Sequence, residues 1–98
     1  MTPEGKIKTE IKKYLDSLGD LCWYFMPAMN GYGRKGIPDI VGCFSGVFFA
    51  FEVKSAEGKA TPWQERELEK ILKTGSRAAI VRNVADVDAI ISELRHGI

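Results

Sequence analysis

Long apolar runs are missing from this chain of 98 residues. No stretch approaches the about 18 consecutive apolar residues that a bilayer-crossing helix needs, and Thr2 to Lys6 is polar, unlike the start of a secretory leader. Those two absences exclude a membrane span and lead us to expect a cytoplasmic protein without membrane partners. Metal-binding sulfur and imidazole are equally scarce. The two cysteines, Cys22 and Cys43, show no zinc-type spacing and fall within expected strands, so we expect buried free thiols rather than a disulfide. His96 is the single histidine and stands near the C-terminus without a partner histidine or cysteine. An excess of one charge is also lacking. Fourteen basic and thirteen acidic residues leave a net charge of +1, so any polyanion partner must be recognised by where the charges lie, not by their sum. There is no repeat, low-complexity tract or linker, and residues 1–98 read as one domain.

What is present is a patterned α/β chain. Thr2-Pro3 is an N-cap followed by proline at the first helical position, and it opens a helix to about Leu18, stopped by Gly19. Ile7, Ile11, Tyr14, Leu15 and Leu18 form its apolar stripe. Leu21 to Met26 is a short apolar run ended by Pro27, long enough for a strand buried on both faces. Residues 40–44 and 47–51 read as two strands joined by a tight turn at Ser45-Gly46. Thr61-Pro62-Trp63-Gln64 is a capping box with proline at the first helical position, and its helix runs to a glycine stop at Thr74-Gly75. A strand at 76–81 follows. Strand, helix and strand in succession demand a right-handed crossover, which sets this strand parallel to the one ending near Glu52. Asn83 caps a last helix, buried through Val84, Val87, Ile90, Ile91 and Leu94.

The chemistry gathers where the hairpin opens. Asp39, in Gly36-Ile37-Pro38-Asp39, begins one strand; Glu52, thirteen residues later in Glu52-Val53-Lys54, ends the next. Antiparallel pairing makes those ends neighbours, and side-chain alternation puts Glu52 and Lys54 on one face while Phe51 and Val53 enter the core. Two carboxylates about 5 Å apart repel by roughly 3 kcal/mol at an effective dielectric near 20. A divalent cation offsets that repulsion; carboxylate oxygens suit Mg²⁺ or Mn²⁺, and the Lys54 amine beside them can orient an attacking water or stabilise charge on a phosphoryl oxygen. Taken singly, Gly-x-Pro-Asp is a turn entering a strand and Glu-x-Lys a solvated strand face.

Gly36-Ile37-Pro38-Asp39 followed by Glu52-Val53-Lys54 resembles the signature of the PD-(D/E)XK nucleases, and the chain's size and the residues beyond are similar to the VRR-NUC branch. The resemblance covers nearly the whole chain. It implies a restriction-endonuclease-like αβββαβ core plus a C-terminal helix, with a mixed four-stranded sheet flanked by helices. It further implies metal ligation by Asp39, Glu52 and the main-chain carbonyl of Val53, with catalysis helped by Lys54. A glutamate from the first helix commonly completes the acidic cluster in this family. Glu10, at the border of the apolar stripe, is the position that matches, with Glu4 as the fallback. From the helix alone, Glu10 is an ordinary flanking acid paired with Lys6 or Lys13, and Glu4 a first-turn acid suited to the helix dipole. Gln64 resembles the glutamine motif of the branch, although the capping box already explains it. Tyr32, Arg34 and Lys35, in a glycine-punctuated loop before Asp39, are candidates for stacking on a base and gripping phosphates, or form an ordinary solvated loop.

The expected activity is Mg²⁺- or Mn²⁺-dependent hydrolysis of DNA phosphodiester bonds, without a nucleotide cofactor. So small a core has no further domain for reading base sequence, which favours structure-specific cutting. Small members of the branch are similar to Holliday-junction resolvases, which implies a homodimer acting on branched DNA, its interface expected in the region from Trp23 to Tyr32. The alternatives are a non-cleaving DNA-binding module and a nuclease subunit of a larger repair or replication assembly.

Overall fold

The computed structural model describes residues 1–28 and 33–95. Its elements are α1 (Pro3–Asp16), β1 (Cys22–Phe25), β2 (Ile40–Phe44), β3 (Val47–Val53), α2 (Pro62–Lys73), β4 (Arg77–Val81) and α3 (Val84–Arg95), with a 3₁₀ turn at Gly19–Leu21. This is the expected αβββαβ order with its C-terminal helix. The strands form one mixed sheet in the order β1-β2-β3-β4, antiparallel from β1 to β3 and parallel between β3 and β4. None of the described helices is long and apolar enough to cross a membrane.

Local signals set most of these boundaries. Thr2 Oγ1 accepts the Gly5 N–H at 3.0 Å and Thr61 Oγ1 accepts the Gln64 N–H at 3.2 Å, so both Thr-Pro pairs start helices. Asn83 Oδ1 caps α3 by accepting the Asp86 N–H at 2.8 Å. Ser45 and Gly46 both take positive φ, 49° and 86°, the combination whose twist suits a two-residue hairpin. That turn fixes the register, so Ile40 lies opposite Phe51 and Phe44 opposite Val47.

The sheet's two faces are unequal. One face carries Ile40, Phe44, Phe49, Phe51, Val53 and Val81, sealed by Ile11 and Leu15 of α1 and Val87 and Ile91 of α3. Truncating one of those phenylalanines to alanine costs about 3–5 kcal/mol. On the other face α2 packs over β3 and β4 and leaves β1 and β2 uncovered. Trp23 and Phe25 there are 65% and 49% exposed, which corrects the expectation that β1 is buried on both faces. An all-apolar run carries no alternation from which to tell a covered face from a bare one. Cys43, opposite Trp23 in the ladder, is exposed for the same reason, and Cys22 is half-buried. Both are free thiols, but neither is the buried one expected.

Candidate active site at the open end of the hairpin

The β2–β3 ladder ends at the Ile40–Phe51 pair, and Asp39 and Glu52 stand just past it. Asp39 prolongs the pairing with its side chain: Oδ2 accepts the Val53 N–H at 2.8 Å. Glu52 is 2% exposed, buried under the start of α2. Its Oε2 accepts from Gln64 Nε2 at 2.9 Å and lies 3.5 Å from Lys54 Nζ. Its Oε1 is buried with no hydrogen-bond partner among the described residues. An unpartnered carboxylate oxygen out of water is costly. The Glu52 carboxyl is accordingly pushed up to about 8, first by burial, then by the charge of Asp39, with Lys54 pulling the other way.

Gln64 is held at both ends of its amide. Oε1 accepts the Thr61 N–H at 2.8 Å, closing the capping box, and this turns Nε2 toward Glu52. The helix cap thus decides the amide's orientation, and a residue with a full structural role also touches the buried acid.

The first helix delivers different residues from the one expected. Glu10 is exposed, and two residues before it Lys8 places Nζ 3.3 Å from Asp39 Oδ1. Positions two apart on an α-helix lie about 200° around it, so Glu10 points along the opposite flank and is not brought to Asp39. Glu4, one turn before Lys8, shares the nearer flank. Its Oε2 approaches Gly58 to within 3.4 Å of where a Cβ would stand, a point 3.5 Å from the Lys54 Cβ. Lys8 was missed by sequence reading; the usable signal was its spacing of four from Glu4.

Arg34 directs Nε and Nη2 at Glu67 Oε2, at 3.2 and 3.0 Å, and Lys35 Nζ stands 5.2 Å from the Trp63 ring centre. Both therefore lie against α2. Tyr32 falls outside the described residues. Gly36 permits this docking. Its φ is +82°, and a Cβ there would stand 2.4 Å from the Trp63 carbonyl oxygen. Behind Lys54, Arg82 Nη1 donates to the Ser55 and Gly58 carbonyls and ties down the turn that follows the site.

The residues fit a hard divalent cation. Two carboxylates converge, one with an unsatisfied buried oxygen, and Mg²⁺ is usually held by one or two carboxylates together with waters and substrate phosphate. No group of three or more acidic, histidine or cysteine side chains is gathered for an ion among the described residues.

The fold itself recurs in known proteins. A family profile described as archaeal Holliday junction resolvase (hjc) matches residues 6–85. A solved structure titled "VRR_NUC domain" superposes with a TM-score of 0.77 at 30% identity, over 94% of this chain and 97% of the other. A second, titled "VRR_NUC domain protein", superposes with a TM-score of 0.68 at 18% identity, over 94% of this chain and 84% of that one, and so speaks for the fold alone. Among curated proteins none matches. With well over half its length under the profile and a VRR_NUC domain matched nearly end to end, the chain belongs to the Hjc family of PD-(D/E)XK-type nuclease domains.

Proposed function

We propose that the protein is a metal-dependent, structure-specific DNA endonuclease acting on branched DNA such as four-way junctions. The observation that carries this reading is the buried Oε1 of Glu52, without a partner among the described residues and set beside Asp39, with Lys54 and Gln64 on the other oxygen. Asp39, Glu52 and the Val53 carbonyl would hold Mg²⁺ or Mn²⁺, with Glu4 in the place expected of Glu10. A bound ion of this kind supplies Lewis-acid polarisation of the phosphate and offsets charge growing on the leaving oxygen.

The chain's own residues do the positioning. Gln64 fixes one oxygen of Glu52 and leaves the other for an incoming ligand. Lys54, 12% exposed in its side chain, keeps its ammonium against Glu52, from where it orients the attacking water and steadies the phosphoryl oxygens. Lys8 holds a second positive charge at Asp39 and can turn to a phosphate when substrate arrives.

The description of the matching profile supports the branched substrate. A homodimer suits such DNA, since its two-fold axis presents two sites to two strands. Trp23 and Phe25 on the uncovered part of the sheet are the residues we assign to that interface. Labelled duplex, flap, splayed and four-way DNAs incubated with Mn²⁺ test the proposal. Cutting confined to branched substrates and absent from Glu52→Ala is the expected result; no cutting of any substrate would refute it. Trp23→Glu should halve the mass measured by light scattering.

A further inference from the structure

Trp63 is not among the described residues packed on the hydrophobic core. It occupies the second position of α2, is 50% exposed, and is followed in the chain by the glutamine that holds Glu52. Two cations lie over its ring: Lys35 Nζ and Arg66 Cζ, each 5.2 Å from the centre. Neither has a carboxylate within ion-pair distance among the described residues. The hollow around the ring is lined by Arg34, Lys35, Trp63, Arg66, Glu67 and Lys70, and both Arg34 and Lys70 lean on the one acid, Glu67. Four cations and one carboxylate thus surround an aromatic face on a chain whose net charge is only +1. The basic concentration that composition hid is here, beside the active site.

We infer that Trp63 is a stacking platform for an unpaired base of the DNA strand being cut, with Lys35 and Arg66 passing from the ring to the flanking phosphates as the base arrives. The inference rests on the nuclease reading above and adds the contact that selects opened DNA. Cation–ring contacts at an exposed position are weak and easily exchanged for a phosphate. An indole face accepts any base, but in an intact duplex the bases already stack on each other, so the platform favours branch points and frayed strands. The ring is held in register with the chemistry from both sides. Gln64 ties its neighbour to Glu52, and the bare Gly36 lets the Trp63 carbonyl press on the loop three residues before Asp39.

The test is binding without cleavage, in chelator, to a splayed DNA and to a closed hairpin duplex, read by anisotropy and by tryptophan fluorescence. Trp63→Ala should weaken splayed-DNA binding about tenfold or more and leave duplex binding nearly unchanged, whereas Trp63→Phe should keep most of the affinity. Splayed DNA should quench the wild-type emission, and the quench should vanish in Trp63→Phe. Replacing the unpaired nucleotides next to the branch by abasic sites should weaken the wild type but not Trp63→Ala. Equal loss on both DNAs, an unchanged affinity, or a quench that persists in Trp63→Phe overturns the platform. Should Trp63→Ala melt near room temperature, the Trp63→Phe quench and the abasic series on wild type still decide it. If the wild type cuts branched DNA while Trp63→Ala binds it equally well, only the platform falls. If the wild type binds no DNA, the nuclease reading falls with it.

Discussion

Two helices of this protein begin with the same two residues. Thr2-Pro3 and Thr61-Pro62 each place a threonine hydroxyl under the N–H three positions on, with proline filling the first helical position. The difference is in that third position. In α1 it is Gly5, which has no side chain to return the bond; in α2 it is Gln64, whose amide closes the box and then reaches Glu52. One helix start only starts a helix, while the other also holds half of a carboxylate in place. A structural explanation that accounts for a residue completely therefore does not exhaust it, because an amide has two ends and a cap occupies only one.

The comparison breaks most severely if the acid that Gln64 reaches is removed. Glu52→Ala or Asp39→Ala should lower cleavage by at least about a thousandfold, the scale of losing a principal electrostatic contributor. Either should abolish the rise in melting temperature with Mg²⁺ or Mn²⁺, a rise worth about 2.7 kcal/mol at a hundredfold excess over Kd. An unchanged metal-induced shift in Asp39→Ala rules out the site as drawn. Lys54→Ala should keep that shift and lose cleavage. Next in size is giving α2 the start that α1 has: Gln64→Gly should reduce metal affinity or activity about 10–100-fold, as loss of a group behind a ligand does. Gln64→Glu, which can still close the box, should recover the helix but not the activity, since it sets a second carboxylate against Glu52.

Acidity separates the two helix starts further. The carboxyl of Glu52 sits near 8 in the folded chain, above its ordinary 4.5, through burial first and Asp39 second. Its contribution to stability is therefore complete below about pH 4.5 and lost as pH climbs through 8. Chelated protein should melt progressively lower across that window, Glu52→Gln should flatten the slope, and divalent cation should do the same by competing with the proton. Smallest are the caps themselves. Thr2→Ala and Thr61→Ala should each cost about 1 kcal/mol, read as a drop of roughly 4–8 °C in Tm, but only Thr61→Ala should also weaken the response to metal. Equal metal responses in the two variants would erase the distinction drawn between these helix starts.

The fold was legible where its causes are local. Caps, the Ser45-Gly46 turn and the crossover to β4 are each written within a few residues, and the hairpin register followed from its turn. Asp39 meeting Glu52 was legible for that reason. Which flank of α1 faces them was not. Glu10 borders the apolar stripe and Glu4 lies in the first turn, and choosing between them depends on how the helix crosses the sheet, a consequence of packing among Ile11, Leu15, Val87 and Ile91 rather than of any one segment. The bare face of β1 was hidden likewise, since Leu21 to Met26 would look the same under a helix or in water. Gln64 stood between these cases: its cap was plain from spacing, and its bond to Glu52 needed the fold.

The Lys54 N–H donates to the Val81 carbonyl at 3.1 Å, so the lysine beside Glu52 is fastened by a strand made 27 residues after it. A nascent chain can close the 39–53 hairpin early, but Gln64 reaches Glu52 only once α2 has formed, and Lys54 is secured only when β4 slots in beside β3. The surroundings of Glu52 are therefore completed late in biosynthesis, after most of the domain has been made. A chain that stops before Val81 lacks the carbonyl that fastens Lys54 and is expected not to cut DNA.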